Sequence, residues 1–165
     1  MIKFVLAMCS VLLVAFPLRA NQPTVRIESP NLQGPRPLND QTKATIIRDY
    51  LQAWNSVGAA FQQNRADLLD RDFVGTAKDK LTDTIHDQVT MGISTRYLDQ
   101  SHDLQIVFYS PEGLSIQLVD NVQYAVQIVD HGKPQAIQKA HARYVVVMTP
   151  AEVRWRVRIF QAEPE

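Results

Sequence analysis

Residues 114–130 read LSIQLVDNVQYAVQIVD. Leu114, Ile116, Leu118, Val122, Tyr124, Val126 and Ile128 alternate with Ser115, Gln117, Asn121, Gln123 and Gln127, so this stretch predicts one long strand with an apolar face and a wet face. The same period of two continues on both sides. Leu104–Tyr109, Ala136–Met148 and Val153–Gln161 read as further strands. The connectors Ser110-Pro111-Glu112-Gly113, Asp130-His131-Gly132-Lys133-Pro134 and Thr149-Pro150-Ala151-Glu152 carry turn chemistry. Connectors this short join antiparallel neighbours, so the second half of the chain is expected to be a four-stranded antiparallel meander.

Upstream of Ser101 the period changes to that of a helix. From Gln41 to Gln62, Ile47, Tyr50, Leu51, Trp54, Val57 and Phe61 recur at three- and four-residue steps, an amphipathic helix with one buried stripe that Asn39 or Asp40 can cap. A short helix is expected near Arg65–Asp70. Val74, Ala77, Leu81, Ile85 and Val89 then repeat the helical spacing until Gly92 ends it. The expected class is α+β, with three N-terminal helices packed on the meander.

Residues 1–20 place Lys3 before an apolar run from Phe4 to Leu18 and end on Arg19-Ala20, the layout of a secretory signal peptide. The run is short for a membrane span and contains Pro17, so an exported, periplasmic or secreted protein with no stable membrane insertion after cleavage is expected; an uncleaved anchor is the alternative. Residues 21–40 contain Pro23, Pro30, Pro35 and Pro37 and read as a flexible tether, leaving 41–162 as the domain. Cys9 is the single cysteine and lies in the signal, so the mature chain has no thiol chemistry. Removing Lys3 and Arg19 from 17 basic residues leaves 15 against 17 acidic ones, a net charge of −2 that argues against nucleic-acid binding.

Pairing the strands on paper brings functional groups together. Phe108 by Leu114, Ile106 by Ile116 and Leu104 by Leu118 carry His102 opposite Asp120, an acidic residue on the core face. Tyr144 falls opposite Asp120 or one pair away, and Tyr124 shares the face. A His–Asp pair with tyrosine hydroxyls is acid–base equipment. The other reading is a bulge at Asp120-Asn121 that turns Asp120 to water, and both stay open here. Setting Met148 by Val153 puts Val146 by Trp155, Tyr144 by Val157 and Ala142 by Ile159. The outer face then carries Arg154, Arg156 and Arg158, with Arg158 opposite Arg143. Like charges so placed call for an anionic or self-associating partner, including a homodimer through the sheet face.

The order of helices then meander, with Tyr50-Leu51-Gln52-Ala53-Trp54 on the first helix, the long Leu114–Asp130 strand and the Val153-Arg154-Trp155-Arg156-Val157 ending, resembles the nuclear transport factor 2-like superfamily over Gln41–Gln161. The resemblance implies a cone-shaped fold in which a curved sheet wraps the helices around a pocket. That pocket serves acid–base catalysis in ketosteroid isomerase and polyketide cyclase-like relatives and plain binding in others. Tyr50 and Asp120 are nominal counterparts of the isomerase branch's helix tyrosine and sheet aspartate; no counterpart of its general base is seen.

His86, His102, His131 and His141 show no metal-ligand spacing, and no nucleophile elbow or phosphate loop occurs, so no metal and no cofactor are expected. Tyr50, Trp54, Tyr97, His102, Asp120, Tyr124 and Tyr144 are the ligand-pocket candidates; Arg143, Arg154, Arg156 and Arg158 are the partner-surface candidates. The function expected is a non-enzymatic exported binding module for a protein or a small hydrophobic ligand. The alternative is a cofactor-free isomerase, dehydratase or cyclase in which His102 is the acid–base, Asp120 orients it, and Tyr124 or Tyr144 holds a substrate oxygen.

Overall fold

The computed structural model describes residues 23–32 and 36–163; the expected signal peptide lies outside them. Strand β1 (Thr24–Ile27) is followed by helix α1 (Asp40–Gln63), a 3-10 turn (Ala66–Leu69), helix α2 (Gly75–Met91), and strands β2 (Ile93–Tyr109), β3 (Ile116–Asp130), β4 (Lys133–Ala151) and β5 (Arg154–Ala162). The five strands form one sheet in the order β1-β2-β3-β4-β5, antiparallel except for the parallel β1–β2 pair. Both helices lie against β2 and β5.

Helix α1 starts where Asn39 takes an extended conformation and its side chain accepts the Thr42 N–H at 2.8 Å, and it stops at Asn64 in the left-handed region. Its stripe of Ile46, Ile47, Tyr50, Ala53, Trp54, Val57, Ala60 and Phe61 is buried against the sheet. Burying each large apolar side chain contributes about 1.5–3 kcal/mol. Gly92 ends α2 at φ 70, and His131 with Gly132, both at positive φ, make the two-residue β3–β4 turn.

Four expectations need correction. The short second helix is a single 3-10 turn, because Asp70-Arg71-Asp72 leads straight back to the sheet, where the Phe73 backbone bridges Val157. In α2 the buried side runs Ala77, Ile85, Gln88, while Val89 is exposed; Gln88 bridges Asn64 and Thr95 instead. The sheet has five strands rather than four, since Thr24–Ile27 of the expected tether pairs with Ser101–Leu104. Its prolines impose extension, and an extended segment beside an open sheet edge becomes a strand. Strand β2 begins at Ile93, directly after Gly92, rather than near Leu104.

Register departs from the paper pairing by bulges. Ile106 pairs with Leu118 and Phe108 with Gln117, so Val107 is extra; Leu104, not His102, stands opposite Asp120. Leu114 is exposed in the turn. In the last hairpin the β4 strand runs through Pro150 and turns at Glu152-Val153, so Trp155 faces Pro150 and Val157 faces Met148. Arg158 is the extra residue of a second bulge, which turns Ile159 outward and Phe160 inward.

Candidate functional site

The inward side chains of α1, β2, β3 and β4 meet around Asp120, whose side chain, like that of His102, has no exposed surface. The turn pairs Tyr109 with Ile116, and the one extra residue at Val107 then brings Ile106 opposite Leu118, a net displacement of two residues from the paper pairing, so parity is kept and His102 lies diagonal to Asp120 on the same face. Asp120 therefore points into the protein, not to water.

Its Oδ2 accepts the Tyr50 hydroxyl at 2.7 Å and meets His102 Nδ1 at 2.7 Å. The Trp54 indole N–H, one turn along α1, donates to the Tyr50 oxygen at 2.8 Å. These contacts form one line, Trp54 to Tyr50 to Asp120 to His102. A carboxylate can only accept, so Nδ1–H of His102 donates, and in the neutral form of the ring the lone pair lies on Nε2. Neither His102 Nε2 nor Asp120 Oδ1 has a hydrogen-bond partner, and both are buried. Each such atom costs about 1–3 kcal/mol in a folded interior.

Aromatic rings wall this cluster. Trp54 has its ring centre 5.3 Å from those of His102 and Tyr144, 5.2 Å from Phe160, 6.3 Å from Tyr124 and 6.4 Å from Tyr97. Tyr144, directly opposite Asp120, stacks on Phe160 at 4.6 Å. Burial above all, then the charge of Asp120, holds the Tyr50 hydroxyl well above the ordinary tyrosine range. Burial also raises Tyr144 strongly, reinforced by Tyr124, and pushes Tyr97 up to about 12. All three stay neutral donors at physiological pH.

The seven pocket candidates thus share one interior cluster. Trp54, Tyr97 and Gln100 also border a surface cavity of 330 Å³ between α1 and β2. Phe160 belongs to the cluster and was not singled out from sequence, because an unmarked bulge at Arg158 reverses its side. Strict alternation from Trp155 places it outward.

The four arginines do not form a stripe. Arg156 donates to the Phe73 carbonyl at 3.0 Å and to that of Asp70. Arg154 reaches Asp72 Oδ1 at 3.5 Å, and the other oxygen of this buried carboxylate accepts the Ser56 hydroxyl at 2.6 Å. Arg143 pairs with Glu163, and Arg158 sits at the bulge over Gly75. The expected Arg143–Arg158 opposition is absent because Ala162, not Arg158, lies at that end of β4. Among the described residues no group of His, Cys, Asp and Glu is arranged to hold a metal ion, and no helix is long and apolar enough to cross a membrane.

No protein-family profile and no curated protein sequence matches the chain. Among solved structures, the intermembrane-space region of the chloroplast protein ARC6 is similar with a TM-score of 0.60 and 15% identity, covering 79% of this chain and 100% of that one. A Novosphingobium aromaticivorans protein assigned provisionally as a scytalone dehydratase matches with a TM-score of 0.47 and 12% identity over 76% of this chain and 89% of its own. A Catenulispora acidiphila protein matches with a TM-score of 0.48 and 12% identity over 74% and 94%. Identities this low speak to fold alone, and scores under 0.5 add nothing to it. What the chain shares with the ARC6 region is therefore an α+β fold, and its chemistry has to be argued from its own residues.

Proposed function

We infer that this chain is an exported nuclear transport factor 2-like binding module whose ring-lined interior takes a small hydrophobic ligand with one hydrogen-bonding group. The observation that carries the reading is the pair of unpartnered buried atoms, His102 Nε2 and Asp120 Oδ1, set among aromatic rings. A purely structural core is more stable without them. A ligand hydroxyl in reach of His102 supplies the missing donor, and Trp54, Tyr124, Tyr144 and Phe160 supply the apolar contact. Entry in this reading is from the surface cavity beside Trp54 and Tyr97, whose side chains must swing aside. The Arg-bearing outer face loses its role in this reading, because Arg143, Arg154 and Arg156 are engaged within the chain.

The orientation of His102 favours a second reading. Held at Nδ1 by Asp120, the imidazole presents Nε2 as a general base, and Tyr144 or Tyr124 can hold a carbonyl oxygen, as enolisation of a small ketone requires. One experiment separates the two. Imidazole and indole nitrogens are followed by NMR while 2-naphthol or 2-tetralone is added, and the ketone is watched for deuterium uptake in heavy water. Shifts at His102 and Trp54, lost in His102→Gln, support binding; deuterium uptake lost in the same variant supports the enzyme. Binding that moves neither residue refutes both.

A further inference from the structure

Strand β4 is longer than its last neighbour. Its pairing with β5 runs from Ala151 opposite Arg154 to Tyr144 opposite Ala162, and the Glu163 N–H adds one more bond, to the Arg143 carbonyl at 2.8 Å. From Ala142 back to Lys133 the strand pairs with β3 on one side, and no described strand pairs with its other side. A run of backbone donors and acceptors along such an edge is a template for another strand.

The edge is chemically two-sided. Lys139, His141 and Arg143 share the outer face, standing opposite the uncharged Ala125, Gln123 and Asn121, and residues 133–143 contain no Asp or Glu. The inner face carries small residues, Ala140 and Ala142, beside the half-buried rings of Tyr124 and Tyr144. A strand added here therefore meets the Lys139 and Arg143 charges on one side and an apolar margin on the other. Glu163 already shows the pattern, with its backbone bonded to Arg143 and its carboxylate paired with the Arg143 guanidinium.

We propose that the β4 edge from Gln135 to Ala142 docks an extended acidic peptide of a partner protein, continuing the line of β5 antiparallel to β4, with acidic side chains outward and apolar ones inward. A second copy of the chain fits poorly, because self-pairing brings together two segments that each carry Lys133, Lys139 and Arg143 and no Asp or Glu. Lys139 and Pro134 discourage such self-association, and the same positive charge selects an acidic strand. This site touches the margin of the interior cluster at Tyr124 and Tyr144 and makes no use of His102 or Asp120.

The test uses the full chain, a synthetic peptide of alternating valine and glutamate, and its valine–lysine counterpart, with amide hydrogen exchange and binding read together. The acidic peptide is expected to slow exchange at alternate amides between Gln135 and Ala142. Lys139→Glu, on an exposed side chain, is expected to weaken it about tenfold and to favour the lysine peptide instead. Equal binding of the two peptides, protection elsewhere, or protection of this edge before any peptide is added overturns the proposal; in the last case the edge is taken by the chain itself or by a second copy.

Discussion

Replacing Tyr50 by Phe removes a single oxygen from a fully buried ring and leaves its volume in place, so it isolates the polar line of the interior. That oxygen donates to the Asp120 carboxylate and accepts from Trp54, whose side chain is 2% exposed. Losing a hydrogen bond to a charged acceptor costs about 1.5–3 kcal/mol, and stranding a buried indole N–H costs about 1–3 kcal/mol. The two share one hydroxyl and are not fully additive, so the expected loss is about 3 kcal/mol, or roughly a 10 °C fall in Tm for a domain of this size. Urea unfolding followed by tryptophan fluorescence is the assay, with the slope of the transition unchanged because the surface exposed on unfolding is the same. Made in an Asp120→Asn background, the substitution should cost at least about 1 kcal/mol less than alone. A loss under about 1 kcal/mol in the native background, or full additivity with Asp120→Asn, refutes the claim that the line from Trp54 to His102 holds α1 to the sheet.

Ser56→Ala leaves the buried Asp72 carboxylate with only the distant contacts of Arg154 and Arg71 at 3.5 Å and 3.9 Å, and is expected to cost about 1.5–3 kcal/mol by chemical denaturation. Gly92→Ala puts a side chain at φ 70, where its Cβ meets the His131 ring at 2.8 Å; a loss of about 1–2 kcal/mol is expected, and His131→Ala should recover part of it. Tyr50, Tyr97 and Tyr144 have hydroxyls raised above the ordinary value of 10.0 in the folded state, so their contribution to stability is intact below pH 10 and falls as pH rises, through about 12 for Tyr97. Tyrosinate absorbance should show these rings ionising late and together with unfolding, and a smooth titration near pH 10 by all tyrosines counts against the buried cluster. Nitrogen NMR of His102 should find the proton on Nδ1 and a lone pair on Nε2 for the neutral ring; the reverse tautomer removes the basis for an acid–base role.

Periodicity along the chain was enough to place α1, most of α2 and the meander, because a buried stripe repeats every 3.6 residues and a half-buried strand every two. Parity also brought His102, Asp120, Tyr124 and Tyr144 to one face, since the turn pairing and the Val107 bulge together displace β2 by an even number of residues and leave the facing of Asp120 unchanged. Local pattern could not find the extra residues Val107 and Arg158, which carry no composition of their own; the first, together with the Tyr109–Ile116 turn pairing, moves His102 to a diagonal position, and the second turns Phe160 into the cluster. Nor could it find β1, where prolines state extension but not a neighbour to pair with. The arginine stripe dissolved for the same reason: Arg154 and Arg156 find partners more than eighty residues away in sequence, on the segment before α2. Local sequence decides which way a side chain faces within its own element, and tertiary packing decides what it meets, because the bond from Tyr50 to Asp120 exists only once α1 has docked on the sheet.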